Sequence, residues 1–193
     1  MDTLLDLAEQ IRTCKQCRLC EGRIHAVPGS GSDQTKLVFV GEAPGKNEDE
    51  QGEPFIGASG KFLDKMLASI NLSRSDIFIT NIVKCRPPKN RDPLPDEISN
   101  CGDRYLKNQL QLLKPLVIVT LGRHSMNYFL PNQKISEAHG QVIRAEGIDG
   151  QSQVYFPLYH PAAALYNGSL QSTLMADFQK IPQLLEQLIS SHA

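Results

Sequence analysis

Short apolar runs recur along the chain, and each has the length of a buried β-strand. Three of them, residues 37–40, 77–83 and 116–121, consist mostly of Val, Ile, Leu and Phe. Two shorter strands are predicted at residues 141–144 and 153–158, on either side of the turn-rich residues 147–150. Uniformly apolar runs indicate strands that are buried on both faces, as in a parallel sheet.

Segments with helical periodicity separate these runs. Apolar residues repeat at helical spacing in residues 2–12, 59–70, 95–113 and 170–189, and residues 123–129 form a shorter helix. Pro182 lies inside the last segment and predicts a kink or a fresh start. The alternation predicts an α/β fold with a parallel sheet covered on both faces. At 193 residues, we expect one domain that spans residues 1–193.

The segment 41–57 leaves the end of the first predicted strand and leads into the helix at 59–70. We expect a long loop here, because it holds four glycines and five acids. The acids are Glu42, Glu48, Asp49, Glu50 and Glu53. Open α/β sheets bind ligands in the crevice at the carboxyl ends of their strands. A loop of this length and charge at that edge therefore indicates function rather than scaffolding.

The composition is that of an ordinary globular chain, with 40% hydrophobic and 21% charged residues. No apolar run approaches the ~20 residues that span a bilayer. The first residues are acidic, so we expect no signal peptide, no membrane partner and a cytoplasmic location. The net charge of −1 argues against a broad basic surface for nucleic acid, but not against a local basic patch.

Five cysteines in such a chain do not suggest a disulfide framework. Cys14 and Cys17 form a C-x-x-C pair, and with Cys85 and Cys101 they suit a tetrahedral zinc site or a [4Fe–4S] cluster. Spacing alone does not decide, but the wide second pair favours the iron–sulfur cluster. Cys20 could replace Cys17, although a spare, partly buried thiol is the simpler interpretation. Unligated buried cysteines are the alternative, but three so close in sequence are hard to place in a core.

Several motifs occur in order between about Cys14 and Leu165. Besides the cysteines they are Gly41-Glu42-Ala43-Pro44-Gly45, Glu48-Asp49, Gly52-x-Pro54-Phe55-x-Gly57, Thr80-Asn81-Ile82-Val83-Lys84-Cys85-Arg86-Pro87-Pro88 and His160-Pro161. Together they resemble the family 4 (type 4) uracil-DNA glycosylases, iron–sulfur enzymes of the uracil-DNA glycosylase superfamily. The resemblance implies a three-layer α/β/α fold with a central four-stranded parallel sheet. It also implies a [4Fe–4S] cluster on Cys14, Cys17, Cys85 and Cys101, and hydrolytic excision of uracil from DNA.

The same resemblance suggests which residues would hold a flipped uracil. Phe55 would stack on the pyrimidine, beside the backbone of Glu42 and Ala43. The Asn81 amide carries a donor and an acceptor that match uracil O4 and N3–H, whereas cytosine presents the opposite polarity. Similarity to the family makes His160 the donor to uracil O2 as the glycosidic bond breaks. The structural alternatives are a core phenylalanine, an asparagine that caps a turn and a structural histidine.

The carboxylate that orients water or stabilises the oxocarbenium-like sugar has to come from the loop. Well-known relatives have an Asp at the position of Ala43, which cannot act. We expect Glu48 to position the water, followed by Glu42, with Asp49 as a further candidate. We interpret Glu50 and Glu53 as solvated charges.

The expected partner is uracil-containing DNA, single- or double-stranded, bound by a monomer. The expected phosphate contacts are Lys84, Arg86, Lys89 and Arg91, with a solvated loop as the alternative. Leu165 would be an apolar wedge in the base stack. Tyr166 stands where family members commonly have an Arg, so stacking would replace one phosphate contact.

Two other functions fit parts of this pattern. An iron–sulfur module that binds uracil-containing DNA without turnover is compatible with Ala43 and Tyr166. A relative that traps uracil DNA covalently uses a histidine after the Pro-Pro segment, and residues 89–93 contain none. Release of free uracil from an oligonucleotide distinguishes a glycosylase from the first of these.

Overall fold

A computed structural model describes residues 3–192, and its centre is a six-stranded sheet. The strands are β1 (Ser30–Gly31), β2 (Leu37–Gly41), β3 (Phe78–Asn81), β4 (Val117–Leu121), β5 (Ile143–Glu146) and β6 (Ser152–Leu158). Their order is β1-β3-β2-β4-β6-β5. The four inner strands are parallel, as expected, and β1 and β5 add antiparallel edges that the four-strand expectation did not include.

Helices connect the strands. The longer ones are α1 (Leu4–Thr13), α4 (Ala58–Ser69), α10 (Gly168–Phe178) and α11 (Ile181–His192). Shorter ones are α2 (Leu19–Gly22), α3 (Lys46–Gln51), α5 (Pro95–Cys101), α6 (Lys107–Leu113), α7 (Arg123–Phe129), α8 (Ile135–Ala138) and α9 (Pro161–Ala164). A π-helical turn, Gly102–Leu106, joins α5 to α6, so the predicted helix at 95–113 is continuous. Pro182 lies at the second position of α11 and marks a fresh start rather than a kink.

Alternate residues of the buried strands serve two separate cores. Phe39 and Phe156 point to the core formed with α4, α10 and α11. Val40 and Tyr155 point to the core formed with α1, α6 and α7. Because strand side chains alternate between faces, the sheet is covered on both sides and the expected three-layer α/β/α fold is confirmed.

Two segments for which the sequence predicts no helix contain short helices. Within residues 41–57 the structure has α3, whose first turn holds Glu48 and Asp49, where carboxylates favour the helix dipole. Gly52 ends α3 at φ 76°, a conformation that suits glycine. The segment after His160 is also helical, because Pro161 occupies the first helical position of α9.

No helix in residues 3–192 is long and apolar enough to cross a membrane.

Candidate active site

A cavity of about 350 Å³ opens at the carboxyl edge of the parallel strands. The register places Gly41 of β2 beside Asn81 of β3, so the loops that follow both strands meet at this edge. Seven of the sequence-predicted residues line the cavity: Glu42, Ala43, Glu48, Phe55, Asn81, Arg91 and His160. Ser59, Asn90 and Asp92 also line it, and the sequence analysis did not single them out. The position agrees with the general location of ligand sites in open α/β sheets.

Phe55 lies against the cavity floor with 5% of its surface exposed. Its ring stacks on the His160 ring, with centroids 5.7 Å apart and planes inclined by 28°. The backbone of Phe55 has φ 53°, which is unusual for a residue other than glycine. Arg74 holds this turn by donating to the carbonyl oxygens of Pro54 and Phe55. A Cβ at Gly60 would lie 1.6 Å from the Phe55 carbonyl oxygen, so the turn requires glycine there.

Asn81 is the last residue of β3 and is 2% exposed. Its Oδ1 is buried and has no hydrogen-bond partner among the described residues. A Cβ at Gly41 would lie 2.3 Å from this oxygen and 2.7 Å from the Phe55 ring, so only glycine leaves room for the amide and the ring. A buried acceptor without a partner is costly, and here it borders a cavity that a ligand donor could enter.

Glu48 and Asp49 are neighbours on α3 but do different things. Glu48 lines the cavity, and its Oε1 accepts hydrogen bonds from the backbone amides of Ile56 (3.0 Å) and Gly57 (3.1 Å). Asp49 is 2% exposed, and its Oδ1 accepts from the Ile24 amide at 2.9 Å. Asp49, the further candidate for positioning water, therefore ties α3 to the N-terminal segment and is not among the residues that line the cavity.

Glu42 belongs to a charged group at the rim of the cavity. Its Oε1 is buried without a hydrogen bond and lies 4.0 Å from His124 Nδ1. His124 Nε2 lies 3.3 Å from Asp92 Oδ2. Burial raises the pKa of Glu42 and so does Asp92, while His124 and Arg123 act in the opposite direction. No sequence motif marks His124; the available signal is that β4, like β2, ends at this edge.

His160 caps the N-terminus of α9, and its Nδ1 accepts a hydrogen bond from the Ala162 amide at 3.1 Å. Burial lowers the pKa of His160 to about 4, against a smaller opposing effect of Glu48. The imidazole is therefore neutral at pH 7. With Nδ1 acting as an acceptor, the proton of the neutral ring is on Nε2, which makes Nε2 a donor.

The basic stretch after β3 is not one uniform phosphate surface. Lys89 is exposed, and Arg86 is half-buried and donates to Asn90 Oδ1 at 2.7 Å. Arg91 lines the cavity and forms a bidentate pair with Glu97, which is fully buried, at 2.7 and 2.8 Å. Lys84 is only 1% exposed, so its expected phosphate contact is wrong.

The expected wedge segment is accessible at the end of α9. Leu165 is 37% exposed. Tyr166 is 94% exposed, more than any other exposed large apolar or aromatic residue among residues 3–192. Asn167 fixes the following turn, because its Oδ1 accepts from the amides of Ser169 and Leu170. Two exposed side chains therefore project from a short, well-anchored segment that begins at His160.

All five cysteines are free thiols and line one small cavity between α1, α2 and the end of α5. The cavity residues other than cysteine include Arg23, Lys84 and Tyr105. Burial raises the pKa of Cys101 to about 12, and it also raises the pKa of Cys17 and Cys85. Arg23 donates to Cys85 Sγ at 2.9 Å. Soft sulfur donors from three segments, partly buried and with a hydrogen-bond donor on one sulfur, suit a metal group that binds thiolates.

Comparison with known proteins agrees with this arrangement. The family model of the Uracil DNA glycosylase superfamily matches residues 28–186. Three relatives named type-4 uracil-DNA glycosylase come from Sulfurisphaera tokodaii, Saccharolobus solfataricus and Archaeoglobus fulgidus, and are 46%, 45% and 46% identical. The alignments cover 95%, 96% and 95% of this chain and 86%, 88% and 94% of the relatives. The chain therefore belongs to the uracil-DNA glycosylase superfamily and, within it, to the type-4 uracil-DNA glycosylases.

Proposed function

We propose that this chain flips uracil out of DNA and hydrolyses its N-glycosidic bond, leaving free uracil and an abasic site. The observation that carries the proposal is the Asn81 Oδ1, a buried acceptor without a partner beside the Phe55 ring in a cavity of about 350 Å³. A uracil stacked on Phe55 would offer N3–H to this oxygen and O4 to the amide nitrogen. Cytosine would present an acceptor and a donor at these positions, the wrong way round for the amide.

His160 and Glu48 would act on the bond that breaks. Negative charge develops on uracil O2 as the base leaves, and the Nε2–H of a neutral His160 would stabilise it by a hydrogen bond. Glu48 would orient the water or stabilise the positive sugar, since Oε1 is held by two amides and the carboxylate lines the cavity. Glu42, at the rim with a raised pKa, is the second candidate. Ala43 would contribute only its backbone beside the base.

A single assay tests the activity. The purified chain is incubated with single- and double-stranded oligonucleotides that contain one uracil, and free uracil and alkali-labile sites are measured. We expect both products in equal amounts. DNA binding without release of uracil would contradict the proposal and favour a binding module, and a DNA adduct that survives denaturation would indicate covalent trapping.

Cys14, Cys17, Cys85 and Cys101 are proposed to hold a [4Fe–4S] cluster. When bound, it would supply a cross-link between the N-terminal segment, the end of β3 and α5, together with the capacity for electron transfer. Cys20, in the same cavity, would remain a free thiol.

Iron, sulfide and zinc are measured in the chain and in two variants. Cys101→Ser should lose iron and the visible absorbance, and Cys20→Ser should keep both. Stoichiometric zinc without sulfide would contradict the cluster.

The DNA contacts are proposed to be Arg86, Lys89 and Arg91 at the phosphates and Leu165 in the stack. We further propose that residues 1–193 form one domain and act as a cytoplasmic monomer. In support, Leu7 and Ile11 of α1 are buried in the same core as α6. Light scattering tests the monomer, and limited proteolysis tests whether the cysteine segment separates from the rest.

A further inference from the structure

Lys84 is a buried lysine whose ammonium group is saturated by hydrogen bonds. Its Nζ donates to Thr80 Oγ1, to the Asn81 carbonyl oxygen and to Gln109 Oε1, each at 2.6 Å. An ammonium has three donors, so each of them has one acceptor here. Lys84 has no carboxylate ion-pair partner among residues 3–192, so these three hydrogen bonds take the place of a carboxylate in compensating its burial.

Two of the three residues that accept from Lys84 are themselves held by a further hydrogen bond. Thr80 Oγ1 and Gln109 Nε2 both donate to the Pro28 carbonyl oxygen, at 3.0 and 2.7 Å. Thr80 and Gln109 are buried, on β3 and α6 respectively. The network is therefore closed, and a closed buried network resists displacement of any single member.

The backbone of Lys84 faces the cysteine cavity. Its N–H donates to Cys101 Sγ at 3.3 Å, and its carbonyl oxygen accepts from the Val27 amide at 2.7 Å. Cys85 follows it directly in the chain. One residue thus contacts the strand end that carries Asn81 through its side chain and the cysteine cavity through its backbone.

The effect on Asn81 follows from which atom Lys84 holds. β3 ends at Asn81, and the N–H of the peptide that follows it donates to the Gly41 carbonyl oxygen at 3.0 Å. Lys84 Nζ binds the carbonyl oxygen of that peptide. Fixing the peptide fixes the Cα–Cβ direction of Asn81, and with it the position of the amide whose Oδ1 has no partner.

We propose that Lys84 is a positioning residue for base recognition: it holds the Asn81 amide in its reading position and connects that amide to the segment of Cys85 and Cys101. The proposal rests on the proposed role of Asn81. Lys84 does not touch the base, and its effect passes through Asn81. It should therefore control how tightly uracil is bound and not how tightly DNA phosphates are bound.

Lys84→Met tests the proposal, because methionine fills much of the same volume without donors. We expect the inhibition constant of free uracil to rise about tenfold, the cost of one misplaced buried hydrogen bond. Affinity for DNA with an abasic site should stay within about twofold. Iron content is measured in parallel, so that any loss of metal is seen directly. Lys65→Met, on the exposed side of α4, is the control and should change none of the three.

Two further variants keep the test decisive. Thr80→Val removes one acceptor at nearly constant shape, and should weaken uracil inhibition in the same direction by a smaller factor, even where Lys84→Met does not fold. In an Asn81→Ala background, Lys84→Met should reduce uracil excision no further, because the residue it positions is gone. An unchanged uracil constant in both single variants, equal losses for uracil and abasic DNA, or a full additional loss in the double variant would overturn the proposal. Failure of the wild-type chain to release uracil would instead overturn the proposed function.

Discussion

Two histidine–carboxylate clusters lie near the carboxyl end of β6, and they differ in how their polar atoms are partnered. In the pocket cluster (Glu42, Glu48, Asn81 and His160), Glu42 Oε1 and Asn81 Oδ1 are buried and have no hydrogen-bond partner among residues 3–192. The second, the paired cluster, consists of His139, Asp177 and Lys180. Judged by residue type alone, the paired cluster would be as good a candidate for a catalytic site as the pocket cluster.

In the paired cluster both carboxylate oxygens are used. Asp177 Oδ2 lies 2.7 Å from His139 Nδ1, and Asp177 Oδ1 lies 2.7 Å from Lys180 Nζ, which also donates to the Gly140 carbonyl oxygen. Asp177 is 3% exposed. A Cβ at Gly140 would lie 1.9 Å from Asp177 Oδ1, so no space remains for a ligand. Satisfied polar groups indicate stabilisation of the fold, whereas buried unsatisfied groups beside a cavity indicate a place for a substrate.

The largest expected effect is in the pocket cluster, from Glu48→Gln. Glutamine keeps a carbonyl oxygen that can accept from the Ile56 and Gly57 amides, so the local structure should persist while the negative charge is lost. We expect uracil excision to fall by about 10²-fold or more, as for loss of a general base or a charged stabiliser. Single-turnover release of uracil measures it.

Glu50→Gln is the matched control for Glu48→Gln. Glu50 lies on the same short helix, is exposed and forms an exposed ion pair with Lys46 at 3.8 Å. Its removal should leave the rate within about twofold, because exposed pairs contribute little. Equal rates for the two variants would show that the acid acts elsewhere, with Glu42 the next to test.

Asn81→Ala should give the next largest effect. It removes both groups proposed to read the base, and we expect excision of uracil to fall about 10- to 100-fold. Affinity for abasic DNA, which has no base to read, should stay within about twofold. A parallel loss of abasic-DNA affinity would contradict a role in base reading and indicate that Asn81 only supports the loop.

The fold was accessible from the sequence because its signals are local. Apolar runs specified the four parallel strands, and periodicity specified α1, α4 and the long helix from Pro95 to Leu113 to within one or two residues. The two-residue β1 has no periodicity to detect. The helix α3 was missed because glycines and acids dominate its surroundings, although Lys46 and Glu50 stand at the i,i+4 spacing that supports a helix.

The sequence predicted which residue types form the candidate site, but not which contacts each of those residues makes. Lys84 and Arg86 look alike in the sequence, yet one is buried in a network and the other lies on the basic loop. Glu48 and Asp49 likewise separate only when α3 forms and turns one of them inward to the Ile24 amide. The contacts of Lys84 with Gln109 and of Asp49 with Ile24 each join residues 25 positions apart, and no local pattern encodes them.

Asp177→Asn tests the other half of the comparison. It weakens two charge-assisted contacts of a buried residue, so we expect the free energy of unfolding to fall by about 1–3 kcal/mol. Excision per folded molecule should be unchanged at a temperature where the variant is folded. Asp103→Asn removes an exposed pair with Lys107 and should cost less than about 0.5 kcal/mol. Loss of uracil excision in a stably folded Asp177→Asn variant would contradict the conclusion that the paired cluster only stabilises the fold.

Within the pocket cluster, His160 should affect how the free energy of unfolding depends on pH. Between pH 6.5 and about 4 the unfolded chain protonates His160, whereas the native pocket keeps it neutral. Acidification through this window therefore lowers the free energy of unfolding. His160→Gln removes that contribution, so its stability should fall less steeply with acidification over the same window. Urea midpoints measured across the window for both chains give the slopes, and identical slopes would show that native His160 titrates normally.

The smallest effect is expected outside both clusters, at Tyr166. Residues 161–176 contain no charged side chain, so this edge of the pocket offers DNA phosphates no Lys or Arg contact. Tyr166 is 94% exposed at the end of α9, and we expect it to stack on a base next to the flipped one. Tyr166→Ala should weaken binding to abasic DNA about three- to tenfold, at the low end for base–aromatic stacking. Tyr166→Phe, which keeps the ring, should bind as the parent chain does.

Fluorescence anisotropy at two salt concentrations separates stacking from a phosphate contact, because loss of stacking leaves the salt dependence unchanged. If Tyr166→Phe is as weak as Tyr166→Ala, the hydroxyl and not the ring makes the contact.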